Sequence, residues 1–61
     1  MLIYFTDAKT NKPIAVNPEH VVVVFMAEEE GKEYTIINTL TGNVATEETQ
    51  LNVVAQLNGA K

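Results

Sequence analysis

Residues His20 to Met26 read His-Val-Val-Val-Val-Phe-Met, an unbroken apolar run in a chain of 61 residues. Valine is stiff at χ1 and packs well on a pleated surface, so four in a row followed by Phe25 and Met26 favour extended backbone over helix. Pro18, just upstream, points the same way. Successive strand residues face opposite sides, so Val21, Val23 and Phe25 require one apolar cover while Val22, Val24 and Met26 require another. A domain this small rarely supplies both. The run therefore predicts a small closed barrel, a sandwich or, as the favoured reading, an oligomer whose subunits cover each other.

The whole chain, residues 1–61, reads as a single domain, of a size that buries only about 60% of the surface its unfolded form exposes. Domains of this size lean on disulfides, a metal or oligomerisation, and the absence of cysteine removes the first and weakens the second. Self-association is what remains. The start, with a strand-like Leu2-Ile3-Tyr4-Phe5, lacks the basic stretch and apolar core of about 7–15 residues that mark a signal peptide, so a cytoplasmic location is expected. Nothing approaches the ~20 apolar residues that cross a bilayer, and membrane insertion is not expected.

Four lysines against eight acids give a net charge of −4, and the chain has no arginine. Nucleic-acid binders cluster basic residues to neutralise phosphates, whereas Lys9, Lys12, Lys32 and Lys61 are scattered, so nucleic acid is not an expected partner. A small anionic ligand needs fewer charges. With no Ser or Cys and a single His, the usual nucleophiles are missing and no paired-carboxylate arrangement stands out. Because an active site needs several convergent roles filled, the expectation is a non-catalytic protein with no cofactor.

The pattern predicts a first strand over Leu2 to Thr6, a polar turn over Asp7 to Lys12, a short strand Ile14-Ala15-Val16, and a break at Asn17-Pro18. The central strand runs from about Glu19 to Met26. Ala27 to Lys32 reads as a hairpin connection with Gly31 free to take positive φ, and Glu33 to Leu40 alternates as the next strand. Thr41-Gly42-Asn43 is the second hairpin signal, with Gly42 at the first central position of a type II′ turn, before a last strand Val44 to Thr46.

From Thr49 the period changes: Leu51, Val54, Ala55 and Asn58 fall at helical spacing, and Val53 and Leu57 widen the stripe. Thr46 or Thr49 suits the N-cap, and Gly59 ends the helix. The fold class is α+β: an antiparallel β-meander of four to five short strands, open or rolled into a small barrel, with one C-terminal helix.

Candidate binding residues are few. Tyr34 and Asn38 share a strand face with Ile36, Tyr4 offers a second apolar ring with a polar tip, and Lys9 and Lys12 flank Asn11 in a loop able to close over an anion. His20 opens the central strand, but with no second His and no Cys a zinc site lacks its usual ligands, so no metal is expected. Glu28-Glu29-Glu30 lacks the alternating oxygen ligands of a calcium loop and reads as a solvated turn. The strand residues Val21, Val22, Val23, Val24 and Phe25 are the candidates for the oligomer interface.

Ile3-Tyr4-Phe5, Ile14-Ala15-Val16-Asn17-Pro18, the apolar strand, Tyr34-Thr35-Ile36, Gly42, and Glu48 ahead of Val53-Val54 form a pattern that resembles the FlbD/SwrD-like small flagellar and motility proteins. The resemblance implies a compact sheet with a C-terminal helix and non-catalytic regulatory action through binding. The chain departs from it in the longer loop Asp7–Lys12, the acidic turn and the missing basic residues after Gly42. Chains of this outline also look like small phage-encoded accessory proteins, some of which resemble sponges for nucleotide signals.

Two function classes follow. The first is a small homo-oligomeric binding protein, acting stoichiometrically, that captures or sequesters a small, nucleotide-like ligand where subunits meet. The second is a regulator that binds a larger protein partner through a strand edge or the helix.

Overall fold

The computed structural model describes residues 1–59; Lys61, one of the four scattered lysines, lies outside them. Strands β1 (Ile3–Thr6), β2 (Pro13–Val16), β3 (Val21–Glu29), β4 (Lys32–Thr39) and β5 (Gly42–Thr46) precede helix α1 (Gln50–Gly59). β1 and β2 form one antiparallel hairpin, and β3, β4 and β5 form a three-stranded antiparallel meander in that order. This is the expected α+β arrangement, with five strands and one C-terminal helix.

The sheets do not close into a barrel. Where the central strand was expected to begin, Pro18–His20 form a short 3-10 turn that separates β2 from β3. Asn17 starts it by accepting the Glu19 N–H on its side-chain oxygen at 3.0 Å, and its carbonyl takes the His20 N–H at 2.9 Å. The buried Pro18 has no N–H to offer a ladder. β3 therefore starts at Val21 and stands at the edge of its sheet.

β3 also departs from simple alternation. Val21 pairs with Thr39 and Val23 with Asn38, which leaves Val22 as the extra residue of a β-bulge. The bulge moves Val21 onto the same face as Val24 and Met26, while Val23, Phe25 and Ala27 take the other. The expected face sets, Val21 with Val23 and Phe25 against Val22 with Val24 and Met26, are thus corrected at the first two residues. The strand runs on through Glu28 and Glu29, and only Glu30 and Gly31 make the turn, at φ 53° and 77°. Two consecutive positive φ values define a type I′ hairpin, whose twist matches that of the strands.

A two-residue hairpin of this kind closes on a pair that exchanges both backbone hydrogen bonds, and Glu29–Lys32 is that pair. Alternation gives Ala27–Tyr34, Phe25–Ile36 and Val23–Asn38 the same role. The N–H and C=O groups of Val24, Met26 and Glu28 consequently point off the sheet edge. Gln50 meets one of them, its Nε2 donating to the Val24 carbonyl at 3.2 Å.

The second turn lies two residues earlier than the sequence suggested. Leu40 and Thr41 form it, and Gly42 is already paired with Thr39. The Thr39 hydroxyl decides this: it donates to the Gly42 carbonyl at 2.8 Å and accepts the Thr41 N–H at 3.3 Å. Gly42 holds φ 147°, which side-chain-bearing residues rarely adopt.

The core lies between the inner faces of both sheets and α1: Phe5, Val16, Ile37, Val44, Val53 and Leu57, flanked by Ile3, Ile14, Val21 and Val24. Thr35 and Thr46, directly paired and fully buried, sit on this face too. Both hydroxyls hold the linker to the helix. Thr35 Oγ1 donates to the Glu48 carbonyl at 2.6 Å, and Thr46 Oγ1 accepts the Glu48 N–H at 3.3 Å. Thr49, not Thr46, is the N-cap, accepting the Asn52 N–H at 3.2 Å.

The helix buries Val53 and Leu57, with Val54 half-buried, whereas Leu51 is 83% exposed and Ala55 is exposed. The stripe expected from Leu51 to Asn58 is therefore rotated. The linker fixes the angle at which α1 leaves the sheet, and that angle selects the face.

Candidate functional site

Helix and hairpin both cover the same side of the meander, the side of Ile37, so among the described residues its other side is left bare. Across that outer face the register aligns Val23 with Asn38 and Asn43, Phe25 with Ile36 and Ala45, and Ala27 with Tyr34. Val23 and Phe25 remain 47% and 42% exposed, while Tyr34 and Ile36 are half-buried by their neighbours along the strands. The apolar run that demanded two covers has one incomplete cover and one missing.

One margin of this face is built from far away in sequence. The Ala8 N–H donates to the Ala45 carbonyl at 2.8 Å and fastens the β1–β2 loop alongside β5. The loop is shaped by its own bonds, Lys9 N–H to Asp7 Oδ1 at 2.8 Å, Asp7 N–H to the Lys12 carbonyl at 2.9 Å and Asn11 N–H to the Asp7 carbonyl at 2.7 Å, with Asn11 at φ 59°. Asp7, Ala8 and Lys9 then wall one side of a groove, and the end of β3 at Glu28 and Glu29 walls the opposite side, where alternation puts only the Glu29 side chain on this face. Phe25, Ile36 and Tyr34 provide apolar bulk in it. Ala8, Ala27 and Ala45 keep it hollow, with a volume of about 400 Å³, inside the range of roughly 300–1,000 Å³ typical of small-molecule sites.

Of the candidate binding residues, Tyr34 and the loop lysine Lys9 line this groove. Asn38 shares its face but spends its amide on a cross-strand hydrogen bond, donating Nδ2–H to Asn43 Oδ1. His20 is exposed in the 3-10 turn, where its carbonyl accepts the Leu40 N–H at 3.0 Å. Lys12 is exposed at the end of the first loop, its N–H on Thr10 Oγ1 at 3.3 Å. Tyr4, 69% exposed, lies opposite Ala15 on the outer side of the β1–β2 hairpin. The structure thus joins Tyr34 and Asn38 on one face and does not bring His20, Lys12 or Tyr4 into the groove.

The interface candidates separate in the same way. Val21 and Val24 turn inward and pack against the core, Val22 is the exposed bulge residue, and Val23 and Phe25 belong to the bare face. Comparison with protein-family models, with curated proteins and with solved structures finds no match for this chain. Its chemistry has to be read from its own surface.

That surface has limits. No helix among the described residues is long and apolar enough to cross a membrane. Among the same residues no three of His, Asp and Glu converge as a metal ion would require. The exposed pair Lys32–Glu47, at 3.2 Å, holds the lysine ammonium above its ordinary pKa through hydrogen bond and charge.

Sequence reasoning named Tyr34, Phe25 and the loop lysine Lys9 but missed Asp7, Ala27, Glu29 and Ala45 as parts of one site. The alternation of Tyr34 and Ile36 was a usable signal. The bond from Ala8 to Ala45 had none, because it joins a loop to a strand nearly forty residues later.

Proposed function

We propose that this chain is a non-catalytic binding protein that works stoichiometrically in a homo-oligomer, holding a small ligand in the groove on the bare face of β3–β4–β5. The observation that carries the reading is the groove itself: a hollow of about 400 Å³ beside a half-exposed aromatic, on an apolar sheet face without a cover among the described residues. Phe25 and Tyr34 suit a flat aromatic ligand body through stacking and edge contacts. The Asp7 and Glu29 carboxylates against the Lys9 ammonium at its margins favour a ligand without strong net negative charge, and any nucleotide-like ligand would present its base to the aromatic residues and its phosphates to Lys9.

Native mass spectrometry after mild purification tests this, run with and without a panel of nucleotides, nucleosides and uncharged aromatic compounds. A retained or added small molecule, lost on Tyr34→Ala, is the expected outcome. A monomer at micromolar concentration that binds none of the panel would remove the basis of the reading.

A second reading keeps the likeness to motility regulators, in which the protein binds a larger partner. The open edge of β3 favours it, since the backbone groups of Met26 and Glu28 face outward and suit an added strand. A pull-down with the intact protein that loses its partner on Met26→Pro, while Tyr34→Ala retains it, would favour this reading over the first.

A further inference from the structure

We infer that the groove takes a fused two-ring heteroaromatic with a neutral hydrogen-bond acceptor in the plane of its ring, the class to which the purines belong, and that the Asn43 side-chain amide reads that acceptor. The inference rests on the binding reading above and names the ligand class of the same groove.

The register lays out the floor. On the outer face Asn43 stands at one level, Ala45 with Ile36 and Phe25 at the next, and Tyr34 with Ala27 at the one after. From the level of Asn43, which is that of Asn38, to Tyr34 is four residues of β4, a length of about 13 Å at the rise of a strand. A planar two-ring body lying along the strands fits that length, with the apolar row beneath it. Asn43 stands at the end of the floor away from Tyr34, and it is the lining residue that brings an uncharged amide to the groove.

That amide is held in one orientation. The turn at Leu40 and Thr41 closes on the pair Thr39–Gly42, so alternation makes Asn38–Asn43 a pair that exchanges no backbone hydrogen bonds, the kind whose side chains stand closest. Asn38 donates its Nδ2–H to Asn43 Oδ1. The bond fixes the end of the Asn43 amide that carries the oxygen, and among the described residues it leaves Asn43 Nδ2 without an acceptor. A ring that reaches this end of the floor displaces water from Nδ2 and must replace the lost hydrogen bond with an acceptor of its own. A carboxylate on the ligand would offer one, but Asp7 and Glu29 at the margins oppose its charge. A ring nitrogen offers the same acceptor without charge.

Indole and benzimidazole separate ring from acceptor, since they share shape and N–H and only benzimidazole adds a ring nitrogen with a free lone pair. Titrated into the intact, isotope-labelled protein above neutral pH and followed by two-dimensional NMR, both should move the resonances of Ile36, Tyr34 and Ala45. Benzimidazole should bind about three- to tenfold more tightly, as one partly exposed hydrogen bond allows. Asn43→Leu, at an exposed position, should keep the fold and erase the difference while indole still binds. Asn43→Asp keeps an oxygen for Asn38 and removes the donor, and it should erase the difference too. Absence of shifts in the groove with either ring overturns the binding reading and this inference with it. Equal affinity for the two rings, or a preference for benzimidazole that survives both substitutions, overturns this inference alone and leaves the binding reading standing.

Discussion

Glu30 occupies the first central position of a type I′ turn at φ 53°, a conformation that costs an ordinary L-residue roughly 1–2 kcal/mol. Asparagine tolerates it far better. Glu30→Asn should therefore raise stability by about 0.5–1 kcal/mol relative to Glu30→Gln, the control that removes the charge but keeps the strain. Thermal unfolding checks it, with an expected rise of a few degrees. Thr35 makes the opposite case: its fully buried hydroxyl donates to the Glu48 carbonyl. Thr35→Val keeps the shape and leaves that carbonyl without its donor, at a cost of about 1–3 kcal/mol in urea denaturation. Lys32, raised above its ordinary value by Glu47, contributes stability that is present below the unfolded pKa of 10.5 and is lost as pH rises through the folded value. An NMR titration of its side chain should show the raised midpoint fall back in Glu47→Gln.

At the scale of elements, β3 and α1 show why patterns can be right in kind and wrong in phase. Strand and helix were legible from β-branched content and from the change of period at Thr49. The bulge at Val22 was not, because it answers to the 3-10 turn before it and to the register with β4. The helix stripe was misread because Leu51, Val54 and Ala55 form as plausible a row as Val53 and Leu57. The choice between them came from Thr35 and Thr46 holding the Glu48 backbone. The derived ladder makes a prediction of its own. Amides of Val23, Phe25 and Ala27 should exchange slowly, and those of Met26 and Glu28 quickly, in hydrogen-exchange NMR. The contrast persists when copies meet face to face; protection of Met26 and Glu28 would instead mark a strand added at the edge. The cap offers a second check, since Thr49→Ala should cost about 1 kcal/mol and lower helix content on heating before the sheet signal changes.

For the molecule as a whole, the core is small and one-sided. Ile37, fully buried at its centre between β3 and β5, has no substitute, and Ile37→Ala should cost about 2–5 kcal/mol. A domain of 61 residues holds only a few kcal/mol in total, at roughly 0.05–0.15 kcal/mol per residue, so that variant should be largely unfolded by circular dichroism at 25 °C, while Leu51→Ala stays folded. If the second cover is another copy, the melting temperature of the wild type should rise with protein concentration, because mass action couples folding to association. The need for that second cover was readable from His20 to Met26 alone. Composition and alternation depend on residues close in sequence, and they determined the strands, the helix, the α+β class and the shortage of catalytic groups. Which face stayed bare was decided only in three dimensions. It depended on the bulge at Val22, on the loop bond from Ala8 to Ala45, and on both hairpin and helix settling against Ile37. Those are contacts between distant residues, whose free energy no local pattern records.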